Sequence, residues 1–283
     1  MFKQFSKIYR NSYKYWLYSF ISLIITLSLS LSNIKPTYAI SWVELMIRGI
    51  QIVQISNLSD SQEMALGREI NQEILNSGET KIYRNKSINN YINQIGQRLA
   101  KASTRPNLTY TFQVVDDDSI NAFATMGGYV YVNKGLIVAA DNEAELASVI
   151  AHEIGHIVGH HSIEQMRQQA LAQGLLSAAG LDRSNAVQIG VELAVNRPHS
   201  RLDEFEADSI GLENLKKANY APAGMLGFMN KLLEQGGSIP SFLSTHPATS
   251  SRIKELEAKI NPATMNLGDG LDGKAYKNRT SSI

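Results

Sequence analysis

The sequence contains no cysteine. Disulfide bonds and thiolate metal ligands are therefore excluded, and any bound metal must be held by histidine, aspartate or glutamate side chains. An excess of one charge is also missing, because 27 Lys and Arg face 26 Asp and Glu, which gives a net charge of +1 at pH 7. Without a basic patch, nothing in the composition indicates a nucleic-acid partner, and none is expected.

Charge is nevertheless unevenly placed, because the first acid of the chain is Glu44. Four basic residues precede the apolar run WLYSFISLIITLSLSL (16–31), and the small residues Thr37 and Ala39 follow it. This order is typical of a secretory signal peptide, although the run also approaches the roughly 20 residues of a membrane span. Residues 1–39 are therefore either a signal peptide cleaved after Ala39 or a retained N-terminal anchor. Both interpretations predict an exported protein of the periplasm or cell envelope, and the second adds membrane association.

The remaining chain is predicted to form one domain with short appendages. Residues 40–57 are an apolar leader without a clean helical face. Helical spacing dominates residues 58–261, where β-rich segments occur at 109–115 and 128–138 and the stretch between them is expected to be turn and loop. We therefore predict an α+β domain, mostly helical with a small β-sheet. Residues 262–283 are rich in Gly, Asp, Asn and Lys, and we expect a flexible tail.

The segment VIAHEIGHIVGHH (149–161) holds four of the six histidines. His152 and His156 are spaced i, i+4 on a predicted helix, so their imidazoles lie on one side and can share one metal ion. Glu153 is placed to take a proton from an activated water. The alternative is a solvated polar helix face, but the apolar neighbours of the histidines indicate burial, and buried histidines need partners. The segment therefore predicts a metal site.

A catalytic metal site of this type needs a third protein ligand. His160 lies two turns beyond the first ligand, which is an awkward reach, and both it and His161 are expected to be structural or exposed. The acids on a helix predicted from about residue 200 are better placed. By spacing alone Glu204 and Glu206 are both candidates, and Asp208 can accept the outer N–H of a ligating histidine. The alternative is a solvated acidic face.

The motif HEIGH (152–156) followed by EFEAD (204–208) resembles the gluzincin peptidases of the HtpX, BepA and CAAX-prenyl-protease group, peptidase family M48. NAFATMGGYVYVNKGLI (121–137) is similar to a strand of that family, and STHPATSSRI (244–253) is similar to one of its late elements. The resemblance covers about residues 58–260, which is nearly all of the predicted domain.

The resemblance implies a zincin-like metallopeptidase fold with one Zn²⁺ per chain. It implies that His152, His156 and Glu204 are the zinc ligands, with Asp208 as the matching acid one turn later. Glu206 does not fit the family spacing.

A substrate-binding strand is expected at Gly128, Tyr129, Val130 and Tyr131. If this strand lies at the edge of the sheet, an extended polypeptide can pair with it through backbone hydrogen bonds. The alternative is an ordinary internal strand.

Two later residues are candidate catalytic groups beside Glu153. His246 lies in a Thr-His-Pro turn and Arg252 follows on a predicted helix, and either can donate to the oxyanion that forms when a carbonyl is attacked. His246 has two alternatives, since it can instead occupy the open position of the metal or be a loop histidine without a role.

We predict an exported zinc-dependent endopeptidase with polypeptide substrates. Action on unfolded or misassembled envelope proteins is implied by the resemblance alone. The alternatives are a self-inhibited or inactive metalloprotein with a chaperone or binding role, and an aminopeptidase. For residues 163–198 three alternatives stay open: a lid, a membrane-contacting hairpin or plain scaffold.

Overall fold

The computed structural model describes residues 52–175, 180–196, 198–234, 241–247 and 250–283. The expected signal peptide or anchor and most of the apolar leader lie outside the described residues. None of the helices in these described ranges is both long and apolar enough to cross a membrane.

The described chain consists of helices around a small mixed sheet. Its elements, in chain order, are β1 (Ile52–Val53), a 3-10 turn (Ile55–Asn57), α1 (Asp60–Asn76), α2 (Lys86–Ala102), β2 (Thr111–Val115), β3 (Ala122–Thr125), a second 3-10 turn (Met126–Gly128), β4 (Tyr129–Asn133), α3 (Lys134–Ala139), α4 (Glu143–Val158), α5 (His161–Ala172), β5 (Leu181–Asp182), α6 (Arg183–Asn196), α7 (Arg201–Lys217), α8 (Ala223–Glu234), α9 (Ser241–Thr245), α10 (Ser250–Lys259) and α11 (Gly273–Thr280). The α+β prediction, with mostly helix and a small sheet, is confirmed.

The three-stranded sheet has the order β2-β4-β3. β4 is parallel to β2 and antiparallel to β3, so it is the middle strand. The expectation of an edge strand at Gly128, Tyr129, Val130 and Tyr131 is therefore wrong, and the internal alternative holds. β2 and β3 are the two edges, and β3 lies in a stretch predicted to be turn and loop. A tight connection at Gly127 and Gly128 folds β3 back onto β4, with φ angles of 77° and 92° that favour glycine.

Residues 134–139 also differ from the prediction, which extended the second strand to residue 138. These residues form α3 instead. At its start, Gly135 packs closely against the backbone of Asp118 and Ser119. A Cβ at this position would lie 2.1 Å from the Asp118 carbonyl oxygen, so the close approach requires glycine.

Both faces of the sheet are covered by helices, which gives two hydrophobic clusters. Val130 and Val132 belong to the cluster that includes buried residues of α2, α4, α7 and α8. Tyr131 belongs to the other, which includes buried residues of α1, α5 and α6. Residues 163–198, as far as they are described, thus contribute a packed helix pair to the second cluster.

Helix α4 carries the HEIGH motif through the centre of the domain. Asn142 caps it as predicted, since its side chain accepts a hydrogen bond of 3.0 Å from the Glu145 backbone N–H. Every residue from Ala144 to Ile157 is buried. A helix that is buried all round is held by packing on every side and has little freedom to shift.

Helices α4 and α7 approach closely through small residues. A Cβ at Gly155 would lie 2.6 Å from the Ala207 carbonyl oxygen, and one at Gly211 would lie 3.1 Å from the Ala151 carbonyl. These two contacts run in opposite directions along the helices, so α4 and α7 are antiparallel. The acids of α7 are thereby brought against the histidines of α4.

The C-terminal residues 262–283 do not form the loose tail that composition suggested. Tyr276 on α11 is buried and donates a hydrogen bond of 2.6 Å to the Ile137 carbonyl. The Gly270 carbonyl accepts a hydrogen bond of 3.0 Å from the Ala144 N–H. One buried aromatic ring and specific backbone hydrogen bonds order a segment that its composition does not mark as foldable.

The close contact of α4 and α7 predicts that Gly155→Ala is destabilising. The added methyl overlaps backbone atoms, so we expect a loss of about 1–3 kcal/mol in the free energy of unfolding, measured in denaturant. Gly227→Ala in α8 is the matched control, because its nearest neighbour is the Glu145 side chain at 3.1 Å, which can move. The control should be neutral or stabilising by up to about 1 kcal/mol. Equal stability of the two variants would contradict the contact.

Candidate metal centre

Three side chains from α4 and α7 converge at one buried point. The Nε2 atoms of His152 and His156 lie 3.0 Å apart. The carboxylate oxygens of Glu204 lie 3.4 Å from the first nitrogen and 3.3 Å from the second. All three side chains are buried. The ligand trio that the resemblance implied is therefore assembled.

The spacing of these atoms fits a tetrahedral metal ion. Ligands at about 2.0–2.1 Å from zinc in tetrahedral geometry are about 3.3 Å from one another. The observed separations of 3.0–3.4 Å agree with this value. Two imidazoles and one carboxylate are also a donor set that a divalent ion of this type accepts.

His246 lies where a fourth ligand would be. Its Nδ1 is 3.3 Å from His152 Nε2 and 3.1 Å from Glu204 Oε1. One ligand atom each from these residues and His156 all fall within 4.8 Å of one another. The His246 Nε2 faces Glu153 Oε1 at 3.4 Å. His246 therefore separates Glu153 from the ligand trio.

Glu153 is fully buried beside this cluster. Among the described residues, no hydrogen bond reaches either of its carboxylate oxygens. Burial raises the pKa of the Glu153 carboxyl. An unsolvated carboxylate without hydrogen-bond donors is a strong proton acceptor for a molecule bound next to it.

Asp208 and Arg252 contact the candidate ligands on the side away from the point where these converge. Asp208 Oδ1 lies 3.0 Å from the outer nitrogen of His152, as the sequence suggested. Arg252 donates two hydrogen bonds of 2.7 Å to Asp208, and its Nη1 lies 2.5 Å from Glu204 Oε2. The guanidinium thus binds both acids of α7. This geometry favours a supporting role for Arg252 over the oxyanion role predicted for it.

The side chains of the cluster differ in how strongly they hold a proton. Burial opposes charging of His152, but Glu204 and Asp208 outweigh it and raise the pKa of His152 to about 9. Burial, with a contribution from His199, keeps the pKa of His156 well below its usual value. Burial opposes ionisation of Glu204 as well, yet the surrounding histidines hold its pKa far below normal. The site is therefore built around an ionised Glu204 that pairs with positive charge.

His199 also belongs to this site, and sequence reasoning missed it. Its ring stacks on that of His156, with centroids 3.9 Å apart, and lies 5.1 Å from the ring of His246. Burial lowers the pKa of His199 to about 3, so the ring is neutral. Its position directly before Ser200, the N-cap of the helix that carries Glu204, is a signal that could have found it.

Three further residues were considered as metal ligands from the sequence, and they differ in burial. His160 is half exposed and lies 3.6 Å from Glu63, outside the ligand cluster. His161 is buried against His156 and lies 3.5 Å from Glu206. The Glu206 side chain is 60% exposed. Between the two acids that spacing left open, the structure brings Glu204 to the histidines and leaves Glu206 outside.

Fold and site together define a class of protein, in which an HExxH helix and an acid-bearing helix of an α+β domain share a buried metal-binding cluster. Residues 86–260 match the sequence model of Peptidase family M48. The chain belongs to this family, and the resemblance drawn from its motifs is confirmed.

Relatives with protease names cover most of the chain. The beta-barrel assembly-enhancing protease of Escherichia coli (strain K12) is 31% identical over 259 residues, covering 85% of this chain and 52% of that protein. Metalloprotease YcaL of the same strain is 27% identical over 251 residues, covering 84% and 95%. Mitochondrial metalloendopeptidase OMA1 of Schizosaccharomyces pombe is 32% identical over 173 residues, covering 59% and 51%. The chain spans about half the length of the first of these relatives.

The geometry predicts that Glu204, and not Glu206, controls metal binding. Glu204→Gln should weaken zinc affinity by more than about 100-fold, beyond the range typical of changes outside the ligands. Glu206→Gln is the matched control on the same helix and should stay within that range. Affinity is measured by competition with a chromogenic chelator. If Glu206→Gln has the larger effect, the ligand assignment is wrong.

Proposed function

We propose that this protein is an exported zinc endopeptidase, with His152, His156 and Glu204 as zinc ligands. The observation that carries the proposal is the convergence of these three side chains at tetrahedral separations beside the buried Glu153. Membership in a peptidase family supports it.

Zinc would supply Lewis-acid activation of a water molecule and of the peptide carbonyl. Glu153 accepts the proton of the attacking water and passes it to the leaving amine. Its raised pKa makes it a better proton acceptor than an ordinary glutamate. Asp208 fixes the orientation of the His152 ring, and Arg252 holds the Glu204 and Asp208 carboxylates in position.

The substrate is proposed to lie along β3, the sheet edge next to the site. In the described structure β3 pairs with β4 on one side, and Ala124 and Thr125 line a narrow cleft with His199 and His246 on the other. An extended polypeptide added to this edge is held by backbone hydrogen bonds, with little demand on sequence. Helix α6 contributes Leu193 and Ala194 to the wall of the same cleft.

His246 is proposed to close the site in the structure described. Its Nδ1 lies in the fourth ligand position, and its Nε2 faces the carboxylate that would act as base. Hydrolysis requires this ring to leave. The same observation supports the second candidate function, a binding or chaperone-like metalloprotein whose site stays closed.

Envelope proteins are the proposed substrates, and the periplasm or cell envelope the proposed location. The signal-like pattern of residues 1–39 supports export. The name of the Escherichia coli relative, beta-barrel assembly-enhancing protease, supports a role in beta-barrel assembly, and the family resemblance supports unfolded or misassembled envelope proteins as substrates.

The mechanism predicts that Glu153→Gln lowers the cleavage rate by about 10²–10⁴-fold, because the amide cannot accept the proton. Bound zinc should be unchanged, since Glu153 is not a ligand. Cleavage of unfolded casein and zinc content are measured on the same samples. Glu213→Gln, an exposed substitution on α7, is the control and should behave like the parent. A Glu153→Gln variant with parental activity would exclude this mechanism.

Removal of His246 separates the candidate functions. If the ring closes the site, His246→Ala should cleave casein faster than the parent while it still binds zinc. His160→Asn, at a half-exposed histidine outside the cluster, is the control. A slower His246→Ala variant would indicate the oxyanion role and contradict closure. No cleavage by parent or variant, with zinc bound in both, would support the binding function.

A further inference from the structure

The two histidine ligands are supported differently on their outer sides. The outer nitrogen of His152 faces a carboxylate, Asp208, at 3.0 Å. The outer nitrogen of His156 faces another imidazole, with its Nδ1 2.8 Å from the Nδ1 of His161. His161 is buried, and its ring meets that of His156 at 75°. We infer that His161 is the residue that positions His156 for metal binding.

Hydrogen-bond chemistry fixes the direction of this contact. A histidine that binds metal through Nε2 carries its proton on Nδ1, so the Nδ1–H of His156 is the donor. The Nδ1 of His161 must then be the acceptor, and its own proton lies on Nε2. That nitrogen faces Glu206 Oε2 at 3.5 Å. Metal binding through Nε2 of His156 therefore selects one tautomer at each of the two imidazoles.

The backbone around residue 160 is built to place this ring. His160 has φ 56° in the left-handed region, and the chain turns there from α4 into α5. His161, the first residue of α5, is thereby directed back against α4. In the sequence GHH (159–161), His160 thus forms the turn and His161 contacts His156.

Gly159 makes room for the His161 ring. A Cβ at residue 159 would lie 2.5 Å from His161 Nε2 and 2.8 Å from its Cε1. Gly159 itself has φ −74°, an ordinary right-handed conformation. Alanine is therefore allowed by the backbone and excluded by the ring alone. Glycine at this position serves the ring of His161 and not the turn.

The inference rests on the proposed zinc site and is tested on zinc affinity, with cleavage as a second readout. His161→Phe keeps a ring but removes the acceptor, and should weaken zinc binding by about 10–100-fold. His161→Asn loses the ring but places an acceptor oxygen near the Nδ1 position, and should bind zinc more tightly than His161→Phe. The melting temperature of the metal-free protein should instead follow side-chain volume, so the two readouts rank the variants in opposite order.

Gly159→Ala gives an independent variant. It should weaken zinc binding in the parent, because the methyl displaces the His161 ring, and should have little effect in the His161→Asn background. His160→Asn is the control, since asparagine tolerates the left-handed backbone and this side chain lies outside the cluster. Parental zinc affinity in His161→Phe, or equal weakening in His161→Phe and His161→Asn, would overturn the positioning role. A parent that binds no zinc would instead overturn the proposed function.

Discussion

The site depends on the close approach of α4 and α7. Gly155 against Ala207 and Gly211 against Ala151 leave no space between the two backbones. The histidines of one helix and the acids of the other alternate along this contact. Metal–ligand distances tolerate only about ±0.2 Å, so a wider helix separation would place Glu204 out of reach of an ion bound by the two histidines. Packing between small residues thus sets the separation of the candidate ligands.

The close contact of α4 and α7 buries two carboxylates, and a third helix supplies the positive charge that balances them. Glu204 and Asp208 are buried, and two carboxylates without partners would be costly there. Arg252, on α10, is buried against both and keeps its charge, since Asp208 and Glu204 raise its pKa although burial opposes this. The charge balance of the two acids therefore depends on a residue beyond position 250. The late segment STHPATSSRI (244–253) therefore supplies two residues to the site, His246 and the supporting Arg252.

Sequence reasoning succeeded where the information is local. The i, i+4 spacing of His152 and His156 places both rings on one side of any helix, and spacing with the family resemblance selected Glu204 over Glu206. It failed where the answer depends on distant residues. Strand order is decided by which segments pair, so β4 was mistaken for an edge. The ordering of residues 262–283 comes from Tyr276, whose partner Ile137 is far away in the chain. The role of Arg252 required the acids of another helix to be in place.

The candidate ligands lie on elements that differ in length and packing. The HEIGH helix is buried from Ala144 to Ile157 and packs against α7, so His152 and His156 lie on a firmly held element. His246 instead follows α9, a five-residue helix with one buried residue, Phe242, whose ring stacks on that of His246 at 4.5 Å. Local opening occurs where few apolar contacts hold a segment. If His246 closes the site as proposed, a shift of the short α9 would open it without moving the three proposed ligands on α4 and α7.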